Sequence, residues 1–150
     1  MRVRDLMQRE VATLDADDTL DLADDVMRLG RVRHFPILDK GKVVGVLSQR
    51  DLFRAAASSL LQLEYGAAKE WLAKIPVRAV MSTAVHAVNP DASLRHAVDT
   101  MLAEKIGCMP VIDQDRLVGL LSESDCLRHL AHVLATAEAR DALPELPPAE

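Results

Sequence analysis

Aromatic residues are nearly missing from this chain: one Trp, one Tyr and two Phe in 150 residues. The core must therefore be aliphatic, built from Leu, Val, Ile, Ala and Met. Cysteine is equally scarce, with only Cys108 and Cys126. A chain of this size needs no covalent staple, so the two read as small reduced thiols of a cytoplasmic protein rather than a disulfide. No apolar run approaches the roughly 18–20 residues that cross a bilayer, which predicts no membrane association. The first recognisable element starts at the N-terminus, so no signal peptide is expected. Positive charge is not in excess: the net charge is −5, which argues against nucleic acid as the main partner. Finally, the sequence shows no nucleophile–base pair, no metal-ligand cluster and no Gly-rich phosphate loop. Cys126, His129 and His132 follow one another on a predicted helix, but His132 rotates off the face that Cys126 and His129 share, and a solvated helix end explains them better than zinc. No catalytic activity is predicted.

What is present is a repeat. Residues 3–54 return as residues 77–128 without a gap, about a third of them identical. Met7 pairs with Met81, Leu20 with Leu94, Met27 with Met101, Pro36 with Pro110, Gly45 with Gly119, Ser48 with Ser122 and Asp51 with Asp125. Two copies are too few for a solenoid. They suit a closed pair with internal two-fold symmetry and clefts along its axis.

Each copy reads as β-α-β-β-α. A helical turn ends at Met7 or Met81, and a short apolar strand follows, 11–14 or 85–88. Thr19 or Ser93 supplies a hydroxyl N-cap. Apolar residues then recur at helical spacing, at Leu20, Ala23 and Met27 and at Leu94, Ala97 and Met101. Two strands flank a turn signal, Asp39-Lys40-Gly41 or Asp113-Gln114-Asp115. Pro36 and Pro110 lack an N–H and belong at a strand start or edge. The last helix opens at Ser48 or Ser122. The reading divides the chain into repeat 1 at 1–57, a helical linker at 58–76 with Leu60, Leu61, Leu63, Trp71, Leu72 and Ile75 and a potential break at Gly66, repeat 2 at 77–134, and a disordered Pro-rich tail at 135–150. The fold class is mixed α/β (α+β), two repeats packed sheet to sheet.

The sharpest local motif is Gly-x-x-Ser-x-x-Asp, at 45–51 and again at 119–125. Two explanations compete. Ser-x-x-acid is a capping box, in which hydroxyl and carboxylate satisfy orphan N–H groups. The same geometry suits a nucleotide: a helix start attracts phosphate, and a carboxylate one turn on accepts both hydrogen bonds of a ribose diol.

The ordered pair of motifs, Val-Arg-x-x-Met, then Pro-x-x-Asp after an apolar residue, then Gly-x-x-Ser-x-x-Asp, resembles the cystathionine-β-synthase (CBS) domain in tandem. The resemblance extends to about residue 130. It implies a pseudo-two-fold Bateman module with two clefts for an adenosine-containing ligand such as AMP, ADP, ATP or S-adenosylmethionine. It implies ribose-holding roles for Asp51 and Asp125, phosphate contacts for Ser48 and Ser122, and an adenine sandwich near Ile37 and Val111. Basic residues before the proline, here Arg33 and His34, fit a phosphate, and Thr13 fits a hydroxyl near the ribose. Repeat 2 departs from this pattern with Gly107, Cys108 and Ala87, and Ser124 stands where repeat 1 has Arg50. A phosphate is therefore expected to prefer the site of Ser48 and Asp51, helped by His34 as it protonates near its ordinary pKa of about 6.5.

The resulting expectation is a non-catalytic regulatory module that senses an adenine nucleotide and acts on a separate protein. The alternatives are a scaffold whose clefts stay empty, an S-adenosylmethionine binder, and a redox or metal sensor using the two thiols. A homodimer is expected as well, because Leu20, Val26, Met27, Leu52, Leu94 and Met101 exceed what a small two-layer unit would bury alone.

Overall fold

The computed structural model describes residues 1–60 and 67–141. After a 3₁₀ turn at Val3–Asp5 come β1 (Leu14–Asp15), α1 (Leu20–Gly30), β2 (His34–Asp39), β3 (Lys42–Ser48) and α2 (Gln49–Leu60). A short helix α3 (Ala67–Leu72) and a second 3₁₀ turn at Val77–Ala79 lead into α4 (Leu94–Glu104), β4 (Cys108–Asp113), β5 (Arg116–Ser122) and α5 (Glu123–Asp141). The expected linker residues Leu61, Leu63 and Gly66 lie outside the described residues. Trp71 and Ile75 pack against the first core, and Leu72 belongs to it.

The β2–β3 and β4–β5 hairpins share one register, Pro36 opposite Val46 and Pro110 opposite Leu120, with an irregularity one residue later in both. Their two-residue turns put Lys40 and Gly41, and Gln114 and Asp115, at positive φ. This is the turn geometry that matches strand twist. The first strand is shorter than the sequence predicts. Only Leu14–Asp15 pairs with β2, and in repeat 2 the ladder shrinks to Val88 beside Val111. Pro36 is the third residue of β2, not its first. It is tolerated because β1 reaches only Ile37 and Leu38, so no neighbour asks Pro36 for an N–H. Thr19 and Ser93 stand at the N-caps, but neither side chain caps the helix. Thr19 donates instead to Asp21, and this hydrogen bond, first among the causes, holds the Asp21 carboxyl below its usual range.

The two packed units cross the boundaries of the two sequence repeats. Met7 and Val3 belong to the core of the second unit, with Val88, Ala97, Met101, Met109, Val111 and Leu121. Val77, Val80 and Met81 pack with the first, around Leu20, Phe35, Ile37 and Leu47. Backbone hydrogen bonds fix the exchange: Gln8 and Leu120 bond reciprocally at 2.9 Å, and Val46 and Ser82 do the same at 2.9 and 3.0 Å. The repeated glycines make room for it. A Cβ on Gly45 would lie 2.5 Å from Met81 Sδ and 3.0 Å from the Ser82 carbonyl, and one on Gly119 would lie 2.7 Å from Met7 Sδ and 2.8 Å from the Gln8 carbonyl. Met7, Met81, Gly45 and Gly119 thus recur together because each methionine crosses over the other repeat's glycine.

Two expectations are corrected. Leu20, Met27, Leu52 and Met101 are buried within the single chain, because the exchanged segments and the facing helices cover them; they cannot supply a dimer face. The exposed apolar side chains are others, including Leu22, Leu29, Phe53, Leu102, Leu127 and Leu130. Helix α5 also continues to Asp141, through the first part of the expected tail. The run Ala135–Ala139 is rich in Ala and Glu, both good helix formers, and the first tail proline comes only at Pro144. Among the described residues no helix is long and apolar enough to cross a membrane.

Candidate functional site

Both Ser-x-x-Asp motifs sit where a strand becomes a helix. Ser48 ends β3 and Ser122 ends β5, so each hydroxyl meets the first turn of the next helix. Ser48 N and Oγ donate to Asp51 Oδ2 at 2.8 and 2.6 Å, and Asp51 N donates to Ser48 Oγ at 3.1 Å. Ser122 and Asp125 repeat this with 2.9, 2.6 and 3.3 Å. Capping boxes are therefore present in both repeats, and each uses only one carboxylate oxygen.

The second oxygens differ. Asp125 Oδ1 accepts from Gln8 Nε2 at 2.8 Å and from Arg128 Nη1 at 3.1 Å. The residue is 2% exposed. Burial alone would raise its pKa, but the hydrogen bonds from Ser122, Gln8 and Arg128 outweigh burial and hold the carboxyl below its usual range. Asp51 is only half-buried. Among the described residues nothing donates to its Oδ1, and Ser82, which stands where Gln8 stands in the other repeat, makes no side-chain bond to it.

Both helix starts open on a continuous cleft of about 770 Å³, lined by Ser48, Arg50, Asp51 and Ser82 from one side and by Gln8, Ser122, Glu123 and Ser124 from the other. Six cations line it, Arg31, Arg33, Arg50, Arg54, Lys105 and Arg128, against two carboxylates, Asp51 and Glu123. In a chain of net charge −5, this concentrates positive charge at two helix starts. Arg31 and Lys105 are brought there by left-handed caps, φ 51° and 55°, that turn α1 into β2 and α4 into β4. Val32, Val46, Ile106, Cys108 and Leu120 supply apolar wall.

Several sequence-derived assignments shift. Arg33 reaches both helix starts: its carbonyl accepts from Gln49 N at 2.9 Å at the start of α2, and its Nη2 donates to Ser124 Oγ at 2.8 Å across the axis. His34 lies against Gly107, where a Cβ would come within 3.1 Å of its ring. The glycine that breaks the repeat pattern is thus the space His34 occupies. Burial, then the neighbouring Arg33, push the His34 pKa below its ordinary value, with Glu123 and Asp51 opposing. The imidazole is therefore neutral at pH 7, and protonation begins at more acid pH than the unperturbed value suggests. Ile37 and Val111 are fully buried in the two cores and are not among the residues that line this cleft. Val32 and Ile106 are among the apolar residues that line it. Thr13 lies elsewhere, in a smaller cleft of about 320 Å³ with Arg9, Leu38, Arg116 and Gly119. The exchange of segments is the cause. It delivers Ser82 and Ala84 of repeat 2, not Thr13, to the cleft beside Asp51.

Gln8, Ser82, Arg31, Lys105 and Arg128 were not singled out from sequence. The pairs Arg31/Lys105 and Arg54/Arg128 carried a usable signal, a basic residue kept in register between the copies. Gln8 and Ser82 carried none, because neither repeat predicts that its N-terminal segment serves the other. Cys108 is buried, and burial, then Glu123, push its thiol up to about 12. Cys126 is raised as well, by burial and Asp125. Thiols so reluctant to ionise are poor redox nucleophiles.

A family model described as "CBS domain" matches residues 3–58 and 77–132. The CBS domain-containing protein YhcV of Bacillus subtilis is 32% identical over 123 residues, covering 82% of this chain and 81% of that protein. Among solved structures, a Vibrio cholerae protein (AcuB) named for acetoin utilization superposes with a TM-score of 0.75 at 35% identity, over 96% of this chain and 98% of its own. The CBS domain pair of protein MJ0100, in complex with 5′-methylthioadenosine and S-adenosyl-L-methionine, has a TM-score of 0.73 at 23% identity, over 89% and 98% of the two chains. The chain belongs to the CBS domain family, as a tandem pair of CBS domains.

Proposed function

We propose that this CBS pair is a non-catalytic sensor of a phosphorylated adenosine compound, of the AMP, ADP or ATP class, bound in the cleft between the repeats. The observation that carries this reading is the cationic lining around two helix starts in an otherwise acidic chain. Phosphate is favoured at a helix start by free N–H groups and the dipole, and Arg31, Arg50 and Lys105 add charge. Asp51 Oδ1 offers the acceptor for a ribose diol, and Val32, Val46 and Ile106 offer apolar wall for a base. An adenosine ligand in the MJ0100 pair agrees with the class. S-adenosylmethionine itself suits this cleft less well, because its sulfonium and ammonium would face arginines.

Binding at the axis contacts both repeats at once. It would favour whichever packing of the two holds the ligand more tightly, and so transmit occupancy to a dimer interface or to a separate regulated protein. Phe53 and Leu127 occupy equivalent positions on α2 and α5 and are 68% and 63% exposed. They are the natural centre of a self-complementary homodimer face. The scaffold reading keeps one specific support: both Ser-x-x-Asp motifs are satisfied as caps without any ligand. Calorimetry with AMP, ATP, adenosine and S-adenosylmethionine separates the readings. Phosphorylated nucleotides are expected to bind more tightly than adenosine, and more weakly as salt rises. No heat with any of the four would leave the scaffold standing.

A further inference from the structure

The two halves of the cleft present the same cap but not the same acceptor. On one side Asp51 Oδ1 has no donor among the described residues. On the other, Asp125 Oδ1 already takes the Gln8 amide at 2.8 Å and Arg128 at 3.1 Å. Arg128 supplies one of these donors, and the equivalent position in the first repeat is also an arginine, Arg54. The residue type that differs is the one delivered by the exchanged segment: Gln8 to Asp125, Ser82 to Asp51. Both are pinned by the same backbone bridge, Gln8 to Leu120 and Ser82 to Val46. Their side chains therefore start from equivalent points. A Gln side chain spans the gap to the carboxylate, and a Ser side chain stops short of it.

We infer that Gln8 closes the Asp125 half of the cleft to a ribose diol, so that the chain takes one adenine nucleotide, held at Asp51. The inference rests on the nucleotide reading above. A diol arriving at Asp125 would have to displace the Gln8 amide, exchanging one charge-assisted hydrogen bond for another with little gain. A diol arriving at Asp51 makes a bond that was not there. The same logic makes Gln8 a gate whose identity sets stoichiometry: a residue too short to reach would open the second half, and a glutamine at position 82 would close the first.

Calorimetric titration of the full chain with AMP tests this, on the parent, Gln8→Ser and Ser82→Gln, each checked for folding by its thermal melt. The parent is expected to bind one equivalent. Gln8→Ser is expected to bind two. Ser82→Gln is expected to lose affinity by about 10- to 100-fold, the worth of a hydrogen bond to a charged group. Two equal equivalents in the parent, or one in a folded Gln8→Ser, would overturn the gate while leaving the nucleotide reading intact. If Gln8→Ser does not fold, unchanged affinity in Ser82→Gln overturns it alone. No AMP binding by any of the three would overturn the nucleotide reading, and the gate with it.

Discussion

Asp51 and Asp125 occupy the same place in two copies of one motif, yet one carboxylate is half-buried with a spare oxygen and the other is sealed with both oxygens engaged. The repeated sequence fixes what they share, a cap on the helix that follows. What separates them comes from outside the motif, from position 8 or 82 on a segment of the opposite repeat. A motif read in isolation therefore describes a helix start correctly and can still misjudge whether its carboxylate is available to a ligand.

The largest effect should appear when each carboxylate is removed. Asp125→Ala deletes a buried cap together with the bonds from Gln8 and Arg128, and should cost about 2–4 kcal/mol of stability, summing a lost cap and a lost charged hydrogen bond. Asp51→Ala should cost nearer 1 kcal/mol, a cap alone. Urea unfolding of both variants measures the gap, and equal losses would mean that the bonds to Asp125 Oδ1 contribute nothing. Ligand binding should show the opposite ranking. Asp51→Asn keeps much of the cap but should weaken AMP by about one to two decades, whereas Asp125→Asn should leave AMP affinity nearly unchanged in the parent background. Calorimetry that finds the two equally damaging would restore a symmetric pair of sites.

The crossings give a smaller test. Gly119→Ala should cost about 1–3 kcal/mol through overpacking, and Gly45→Ala less. The Cβ at 119 would press on the Gln8 carbonyl at 2.8 Å, against 3.0 Å to Ser82 at the other crossing, and a backbone atom yields less easily than a methionine side chain. Denaturant midpoints decide the order.

The smallest effect belongs to His34. Its folded pKa lies below the unfolded value of about 6.5, so the unfolded chain binds the proton first. Stability should therefore fall as pH drops below about 6.5 and level off once the folded imidazole has also protonated. His34→Asn should flatten that slope, and bound AMP should shrink it as well, because phosphate favours the imidazolium and raises the folded pKa toward the unfolded one. A melt series from pH 7.5 to 5 that shows no difference between parent and variant would remove His34 from the charge balance of the cleft.

Much of this was legible in the sequence, for identifiable reasons. The β-α-β-β-α order, the two hairpins and the helix starts follow from period, turn residues and the hydroxyl-x-x-acid pattern, all of them local signals. Arg50, Ser48 and Asp51 could be gathered because they lie within four residues of one another. Thr13 reads as a hydroxyl near the ribose, and the structure places it in the smaller cleft, because nothing in a linear motif says that the chain crosses over. Ile37 and Val111 were offered to a base because an apolar strand residue looks the same whether it faces a cleft or a core. Leu20 and Met101 read as surplus for a related reason: part of the core each joins, Val77 for one and Val3 and Met7 for the other, is delivered by the opposite repeat, which no helical period shows.

The crossing of Met7 over Gly119 and of Met81 over Gly45 has a consequence for how the molecule could be divided. Neither repeat owns a complete core, since Val3 is hydrogen-bonded to Ala92 and Val77 to Asp18. A fragment holding only the first repeat would carry a loose N-terminal arm and a hole where Val77 and Met81 belong. Two identical fragments could fill each other's holes by trading arms. The covalent join between the repeats would then matter mainly as a high local concentration, and two separately expressed halves, mixed in a tube, would be expected to find one another and fold as a complemented pair.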